Sequence, residues 1–187
     1  CRAAVRIFIV HTTSMSDQVS KEARIVDIDD VVNCTCIAKD VKHKVASNDA
    51  GFVSIADCRR IQKKIWETIK DATPDNPKYI ALCHHSARYL ARQQFDIFKD
   101  FETAVVVDEA DQLMQHTSTV KPEQKVMYAL WKHKDKMSSL LMSATLPWKW
   151  VGHTPEVTKF LKEAPSAKNY GFHNGLKDGL LVDLVVE

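Results

Sequence analysis

Short apolar runs rich in β-branched residues alternate along the chain with segments of helical periodicity. Runs that are apolar at nearly every position are typical of strands covered on both faces in a parallel sheet. The candidate strands are Val5 to Val10, Arg24 to Ile28, Phe52 to Ile55, Tyr79 to Cys83, Ala104 to Val107 and Leu140 to Met142. This alternation predicts an α/β fold with a mostly parallel sheet and helices on both faces.

The helical segments carry apolar residues every three or four positions. Ile61, Ile65 and Ile69 recur every four residues, and Pro74 follows them as a helix terminator. The predicted helices run from a cap at Ser16 or Asp17 to about Ala23, from Asp57 to Ala72, from Ser86 to Gln94 and from Pro122 to His133. We interpret the apolar stripes as core. Since no internal repeat or low-complexity linker interrupts the pattern, we expect residues 1–187 to form one domain.

Composition and charge exclude little but set the class of protein. The formal net charge of +2 is too small to indicate a nucleic-acid partner by itself. The five cysteines form no C-x-x-C pair, which favours buried reduced thiols over a metal site. No apolar run approaches the roughly 18 residues that a membrane span needs. We therefore expect a soluble intracellular protein with no membrane partner, located in the cytoplasm or nucleus, or a viral protein in its host cell.

Two adjacent acids follow one of the apolar strands. Asp108 and Glu109 come directly after Val105 to Val107, at the carboxyl edge where open α/β sheets bind ligands. At such an edge the first carboxylate suits a magnesium ion, and the second suits the orientation and deprotonation of water that attacks a γ-phosphate. A loop acid that caps the next helix would give the same pattern.

A hydroxyl-rich turn follows the next strand. Ser143, Ala144 and Thr145 come after Leu140 to Met142, and the chain between them and Asp108 has room for one helix with its loops. The two strands are therefore expected to be sheet neighbours, with Ser143 and Thr145 within hydrogen-bonding reach of the carboxylates. Alone, these three residues would be read as a turn or a helix cap.

Together these segments resemble the DEAD/DEAH-type helicases of superfamily 2. Asp108 to Asp111 matches their motif II, and Ser143 to Thr145 matches motif III at a similar spacing. Phe8 to Thr13 resembles motif Ia, and Ile80 to Leu90 resembles the block before motif II. Tyr170 to Val182 is similar to the exit from the first motor domain of helicases related to restriction-enzyme translocases. The resemblance spans nearly the whole chain.

The resemblance implies a RecA-like domain of the P-loop NTPase type, covering motif Ia to the domain exit. It implies ATP and Mg²⁺ as cofactors, DNA or RNA as partner, and a second RecA-like domain in the same parent chain. Asp108 would coordinate magnesium and Glu109 would be the catalytic base. Asp111, Ser143 and Thr145 would couple hydrolysis to strand separation.

Three further residues are candidates for nucleic-acid contacts. Thr12 and Thr13 occupy the motif Ia positions whose hydroxyls bind a phosphate, a contact that positions a strand without reading its sequence. His11 stands where the family usually has proline. The family usually has threonine near Cys83 or His85, and Ser86 is the nearest small hydroxyl.

The phosphate loop of this family is missing from the sequence. No Gly-Lys-Ser or Gly-Lys-Thr occurs, and no glycine precedes Gly51. We expect the chain to be cut from a longer helicase after that loop and to hydrolyse no ATP alone, because loop amides and lysine hold the phosphates in such enzymes. The alternative is a catalytically inactive helicase-like module that serves as a binding or scaffold domain. Another P-loop ATPase, such as a packaging motor, would explain the acids but not residues 143–145.

Overall fold

Five strands and six α-helices alternate in the computed structural model, which describes residues 2–23, 31–34, 55–114, 120–143 and 152–163. The elements are β1 (Val5–Val10), α1 (Thr13–Glu22), β2 (Val31–Asn33), α2 (Ile55–Ile69), β3 (Lys78–Cys83), α3 (His84–Ala91), β4 (Thr103–Val107), α4 (Ala110–Met114), α5 (Val126–Lys132), β5 (Met137–Leu141) and α6 (Pro155–Glu163). Short 3₁₀ turns occur at Asp96–Phe98 and Pro122–Gln124.

The strands form one all-parallel sheet in the order β2-β3-β1-β4-β5. The central strand β1 pairs with β3 on one side, where Ile7 lies opposite Ile80, and with β4 on the other, where Ile7 lies opposite Val105. Because parallel crossovers are right-handed, the step from β1 to the edge strand β2 places α1 on one face. The steps back to β3, β4 and β5 run in the opposite direction and place α2, α3 and α5 on the other face. The predicted α/β fold with a parallel sheet is confirmed, and its architecture is of the RecA-like or Rossmann type.

The core lies between the sheet and the helices after β2. Alternate strand residues point into it, and β1 contributes Val5, Ile7 and Ile9, which are all buried. The predicted stripe of α2 packs against them through Ile61, Ile65 and Ile69. Burial of a side chain of this size contributes about 1.5–3 kcal/mol, so this stripe is a main stabilising contact of the sheet.

The first helix begins earlier than predicted, and the predicted cap is wrong. Thr12 has an extended backbone, and its side chain accepts a hydrogen bond from the Met15 amide at 3.2 Å, so Thr12 caps α1. Ser16 is instead buried within the helix, where its hydroxyl donates to Asn33 Oδ1 at 2.8 Å. Its polar side chain joins α1 to β2 rather than starting the helix.

Other predicted boundaries also shift. Ile55 begins α2 and is not a strand residue, while residues 52–54 and the predicted strand Arg24 to Ile28 lie outside the described residues. Helix α3 starts at His84, two residues before its predicted start at Ser86. The helix predicted from Pro122 is interrupted at Lys125, whose extended backbone separates a 3₁₀ turn from α5.

The edge strand β5 starts three residues before its predicted position and ends at Leu141. Three short or terminal elements escaped prediction, namely β2, α4 and α6. The predicted exit segment, Tyr170 to Val182, lies outside the described residues. Among the helices that the structure describes, none has the length and apolar character needed to cross a membrane.

Candidate functional site

Polar residues follow four adjacent strands at one edge of the sheet. His84 follows β3, His11 follows β1, Asp108 follows β4, and Ser143 lies two residues beyond β5. Since all the strands are parallel, these residues lie at the same carboxyl edge. The connection after β1 runs along the sheet in the opposite direction to the connections after its neighbours β3 and β4, and open α/β sheets form a ligand-binding crevice at such a position.

The turn that carries Asp108 and Glu109 is tied to both neighbouring strands. The Asp108 amide donates to the Ile9 carbonyl at 2.8 Å, and the Ala110 amide donates to the Met142 carbonyl at 2.8 Å. Between these two bonds Glu109 adopts a left-handed backbone with φ of 48°. A non-glycine residue in this region costs of order 1–3 kcal/mol and persists only where its surroundings hold it. Both acidic side chains remain partly exposed.

Asp111 and Ser143 join the two sequence motifs directly. The Ser143 hydroxyl donates to Asp111 Oδ1 at 2.8 Å, and Asp111 is only 4% exposed. This contact follows from the sheet, because β4 and β5 are paired with Val107 opposite Leu141. The carboxylate that Ser143 contacts is thus that of Asp111, and its predicted contact with Asp108 or Glu109 stays a prediction. Thr145 lies outside the described residues.

His84 is buried against the acidic turn. Its Nε2 lies 2.7 Å from the Asp108 carbonyl oxygen, and the residue is 3% exposed. Because a carbonyl only accepts, Nε2 carries the proton and Nδ1 keeps its lone pair. Nδ1 is buried without a hydrogen-bond partner among the described residues. Burial lowers the pKa of His84 to about 4, and the charges of Arg88 and His11 also lower it, while the bond to Asp108 opposes the shift. The imidazole is therefore neutral near pH 7.

His11 lies over the outer side of His84. The two rings are stacked, with centroids 5.3 Å apart and an angle of 28° between their planes. His11 is exposed and directly precedes Thr12, so the loop after β1 contacts the residue that holds the acidic turn. His84 and His85 are the first two residues of α3, and His84 is buried while His85 is exposed.

Arg88 is a second contact to the acidic segment that sequence reasoning missed. Its guanidinium Nη2 donates to the Gln112 carbonyl at 3.2 Å, one turn of α3 beyond His84. The same helix thus contacts the backbone on both sides of Glu109. The adjacent histidines His84 and His85 were the sequence signal for contacts from this helix. The residues that His84 and Arg88 contact depend on the order of the strands, which the sequence does not give.

The candidate nucleic-acid contacts differ in accessibility. Thr12 and Thr13 are exposed at the amino end of α1, beside the carboxyl end of β1. Ser86 is fully buried, with its hydroxyl 3.5 Å from Cys83 Sγ, so in this conformation it offers no surface to a phosphate. The roles of all three residues stay predictions.

The donor set fits magnesium held jointly with phosphates rather than a protein-only metal site. Within the described ranges, no group of three or more His, Cys, Asp or Glu residues is arranged to hold a metal ion. Mg²⁺ in nucleotide enzymes commonly takes one or two carboxylates plus phosphate oxygens and water. Asp108 and Glu109, partly exposed at the edge, match that requirement.

A further polar cluster fixes the loop that leads into α6. Lys125 is 8% exposed and its Nζ donates to the Gly152 carbonyl at 2.6 Å, while burial lowers the pKa of its ammonium group. His153 Nε2 donates to the Met114 carbonyl at 3.0 Å, and burial lowers its pKa as well. These contacts connect α4 and α5 to the segment before α6.

Comparison with known proteins adds no relative: no protein-family model matches the chain, and no curated protein matches it.

Proposed function

We propose that the chain is part of the first RecA-like motor domain of an ATP-dependent nucleic-acid helicase or translocase. The hydrogen bond between Ser143 and Asp111 carries the proposal. Neighbouring acids at a strand end are common, and so are serines in turns. Their pairing on adjacent parallel strands at the ligand-binding edge favours one working site over two unrelated turns.

Within that function the acids have separate tasks. Asp108, at the end of β4, would hold the magnesium ion that accompanies the nucleotide phosphates. Glu109 would orient the attacking water and accept its proton. When bound, Mg²⁺–ATP supplies the phosphoryl group and neutralises its charge. Asp111 is withdrawn from solvent by its contact with Ser143, which suits a coupling role better than a direct contact with the nucleotide.

The loop after β1 supplies the candidate contact with nucleic acid. Thr12 and Thr13 are exposed at the amino end of α1. Such a helix end favours anions, so a backbone phosphate is the chemistry expected there. Affinity from this surface would be electrostatic and would fall with salt concentration.

The test uses the product of the complete reading frame that contains these residues. Glu109→Gln should lower nucleic-acid-stimulated ATP turnover by about 100-fold or more, because a general base contributes roughly 10²–10⁴-fold. Glu102→Gln is the matched control, since Glu102 is an exposed glutamate at the opposite end of β4. Equal turnover by the wild type and Glu109→Gln would exclude the proposed role.

The 187-residue chain by itself should hydrolyse no ATP above background. Its sequence has no Gly-Lys-Ser or Gly-Lys-Thr, and no other described feature replaces the amides and lysine of a phosphate loop. Phosphate release measured with the purified chain checks this expectation. Turnover that Glu109→Gln abolishes would contradict it.

A second candidate is a catalytically inactive helicase-like module that binds a partner or nucleic acid. The departures from the family pattern favour it, because His11 stands where the resembling family has proline and because the family has threonine near Cys83 or His85. Nucleic-acid binding without nucleotide turnover in the complete gene product would support this candidate. Turnover that depends on Glu109 would exclude it.

A further inference from the structure

The peptide group between Asp108 and Glu109 has an orientation that a glutamate does not favour by itself. Its orientation determines the backbone of Glu109, which is left-handed with φ of 48°. A glutamate gains nothing intrinsic from that conformation, because its Cβ is crowded there. Rotation of this peptide group would return Glu109 to an ordinary backbone and would change the turn that carries its carboxylate. Some contact must therefore favour the observed orientation.

His84 makes a contact of that kind. Its Nε2–H donates to the carbonyl oxygen of this same peptide group at 2.7 Å. The imidazole is itself immobilised, because it is 3% exposed at the start of α3 and its free face is stacked on His11. Rotation of the peptide would leave a buried imidazole N–H without its acceptor, and this loss opposes the relief of strain at Glu109.

We propose that His84 is a positioning residue for hydrolysis, holding the Asp108–Glu109 peptide so that the base keeps its place in the site. His11 supports it by packing on the ring, and neither histidine touches the reacting atoms. The effect on hydrolysis rests on the proposed function, whereas the effect of His84 on the backbone of Glu109 does not depend on it. A displacement of about 1 Å in a reacting group can cost about 100-fold in rate, so this contact matters for turnover.

The conformational test measures the backbone of Glu109 in the 187-residue chain. A left-handed φ brings the amide proton close to its own Hα, which gives a strong intraresidue NOE. We expect this NOE for Glu109 in the wild type and in His84→Gln, whose amide nitrogen reaches the position of Nε2. It should weaken in His84→Asn, whose shorter amide does not reach the carbonyl, and in His84→Phe, which keeps an aromatic ring without a donor. The glutamine–asparagine pair differs by one methylene and keeps the test valid if His84→Phe does not fold.

The kinetic test uses the complete gene product. His84→Asn should lower kcat for ATP by about 10- to 100-fold with KM changed less than about threefold, and His84→Gln should restore most of kcat. His133→Asn is the matched control, because His133 Nε2 also donates to a backbone carbonyl, that of Gln94, away from the acidic turn. It should leave both measurements unchanged.

The outcomes separate this inference from the proposed function. A strong Glu109 NOE in both His84→Asn and His84→Phe would overturn the positioning role. So would wild-type kcat in His84→Asn when Glu109→Gln is inactive. If Glu109→Gln turns over normally, the proposed function fails, and the NOE comparison still decides whether His84 sets the backbone of the turn.

Discussion

Replacing His84 with glutamine should flatten the dependence of stability on pH. In the folded chain, burial lowers the pKa of His84 from 6.5 to about 4. Between these two values the unfolded chain binds the proton more readily than the folded chain does. The free energy of unfolding is therefore fully retained above about pH 6.5 and decreases as the pH falls towards 4.

The size of this loss follows from the two pKa values. Each pH unit within the window costs about 1.4 kcal/mol, so His84 alone should remove ~2 kcal/mol between pH 7.5 and pH 5. Solvent screening discounts little of this, since only 3% of the residue is exposed. Because a domain is usually stable by about 5–15 kcal/mol, such a loss is measurable.

Urea unfolding followed by tryptophan fluorescence at pH 7.5, 6 and 5 measures the effect in the presence of a chelator. Partial desolvation also lowers the pKa of His85, and burial lowers that of His153. Both residues are present in the wild type and in His84→Gln, so the difference between the two proteins isolates His84. The wild type should lose about 2 kcal/mol more than the variant by pH 5. Parallel losses would refute the reasoning.

Three other changes test the contacts around the site. Ser143→Ala should cost about 1.5–3 kcal/mol in urea unfolding, because it removes a hydrogen bond to the buried Asp111 carboxylate. Combined with Asp111→Asn the cost should be less than additive, and strict additivity would argue against the contact. Gly152→Ala should cost about 1–2 kcal/mol, because φ is +75° and a Cβ would lie 2.7 Å from Lys125 Nζ. An unchanged Tm in calorimetry would contradict this. Thr12→Val should cost about 0.5–2 kcal/mol by removing the cap of α1, whereas Thr12→Ser should retain most of it.

The inner strands were predictable because burial on both faces leaves a clear pattern. The bounds of β1 agree with the prediction, and those of β3 and β4 differ by one residue. The predicted start of the edge strand β5 was too late because the first half of the strand contains Ser138 and Ser139, and Ser138 is exposed. An edge strand does not need apolar residues on both faces, so hydrophobicity alone misplaces its start.

Capping was ambiguous for a different reason. Thr12 and Ser16 are both suitable cap residues, and local spacing does not choose between them. The choice between them depends on a contact 17 residues away, because Asn33 Oδ1 accepts a hydrogen bond from the Ser16 hydroxyl and keeps Ser16 inside the helix. The contact between Ser16 and Asn33 depends on the position of β2, a strand of only three residues.

In the candidate site, contacts between consecutive strands were predictable from the sequence, whereas contacts that depend on the strand order were not. The sequence placed Asp108 and Ser143 at strand ends, and pairing of β4 with β5 was enough to bring the two segments together. The contact of His84 with Asp108 joins residues 24 apart, and in this sheet it passes over β1, which lies between β3 and β4. Consecutive strands are often sheet neighbours, so the spacing of the segments does not predict that β1 lies between β3 and β4.

The acidic turn owes its shape to its neighbours more than to its own residues. Bonds from three other strands or strand ends fix it: the Ile9 carbonyl on β1, the Met142 carbonyl after β5, and His84 after β3. Together they hold a glutamate in a backbone that glutamate does not prefer. The four letters of the motif therefore do not specify a working geometry by themselves. A change at His84 or in the pairing of β5 should alter the position of Glu109 while leaving the motif intact, and this makes those contacts as important to the proposed chemistry as the acids.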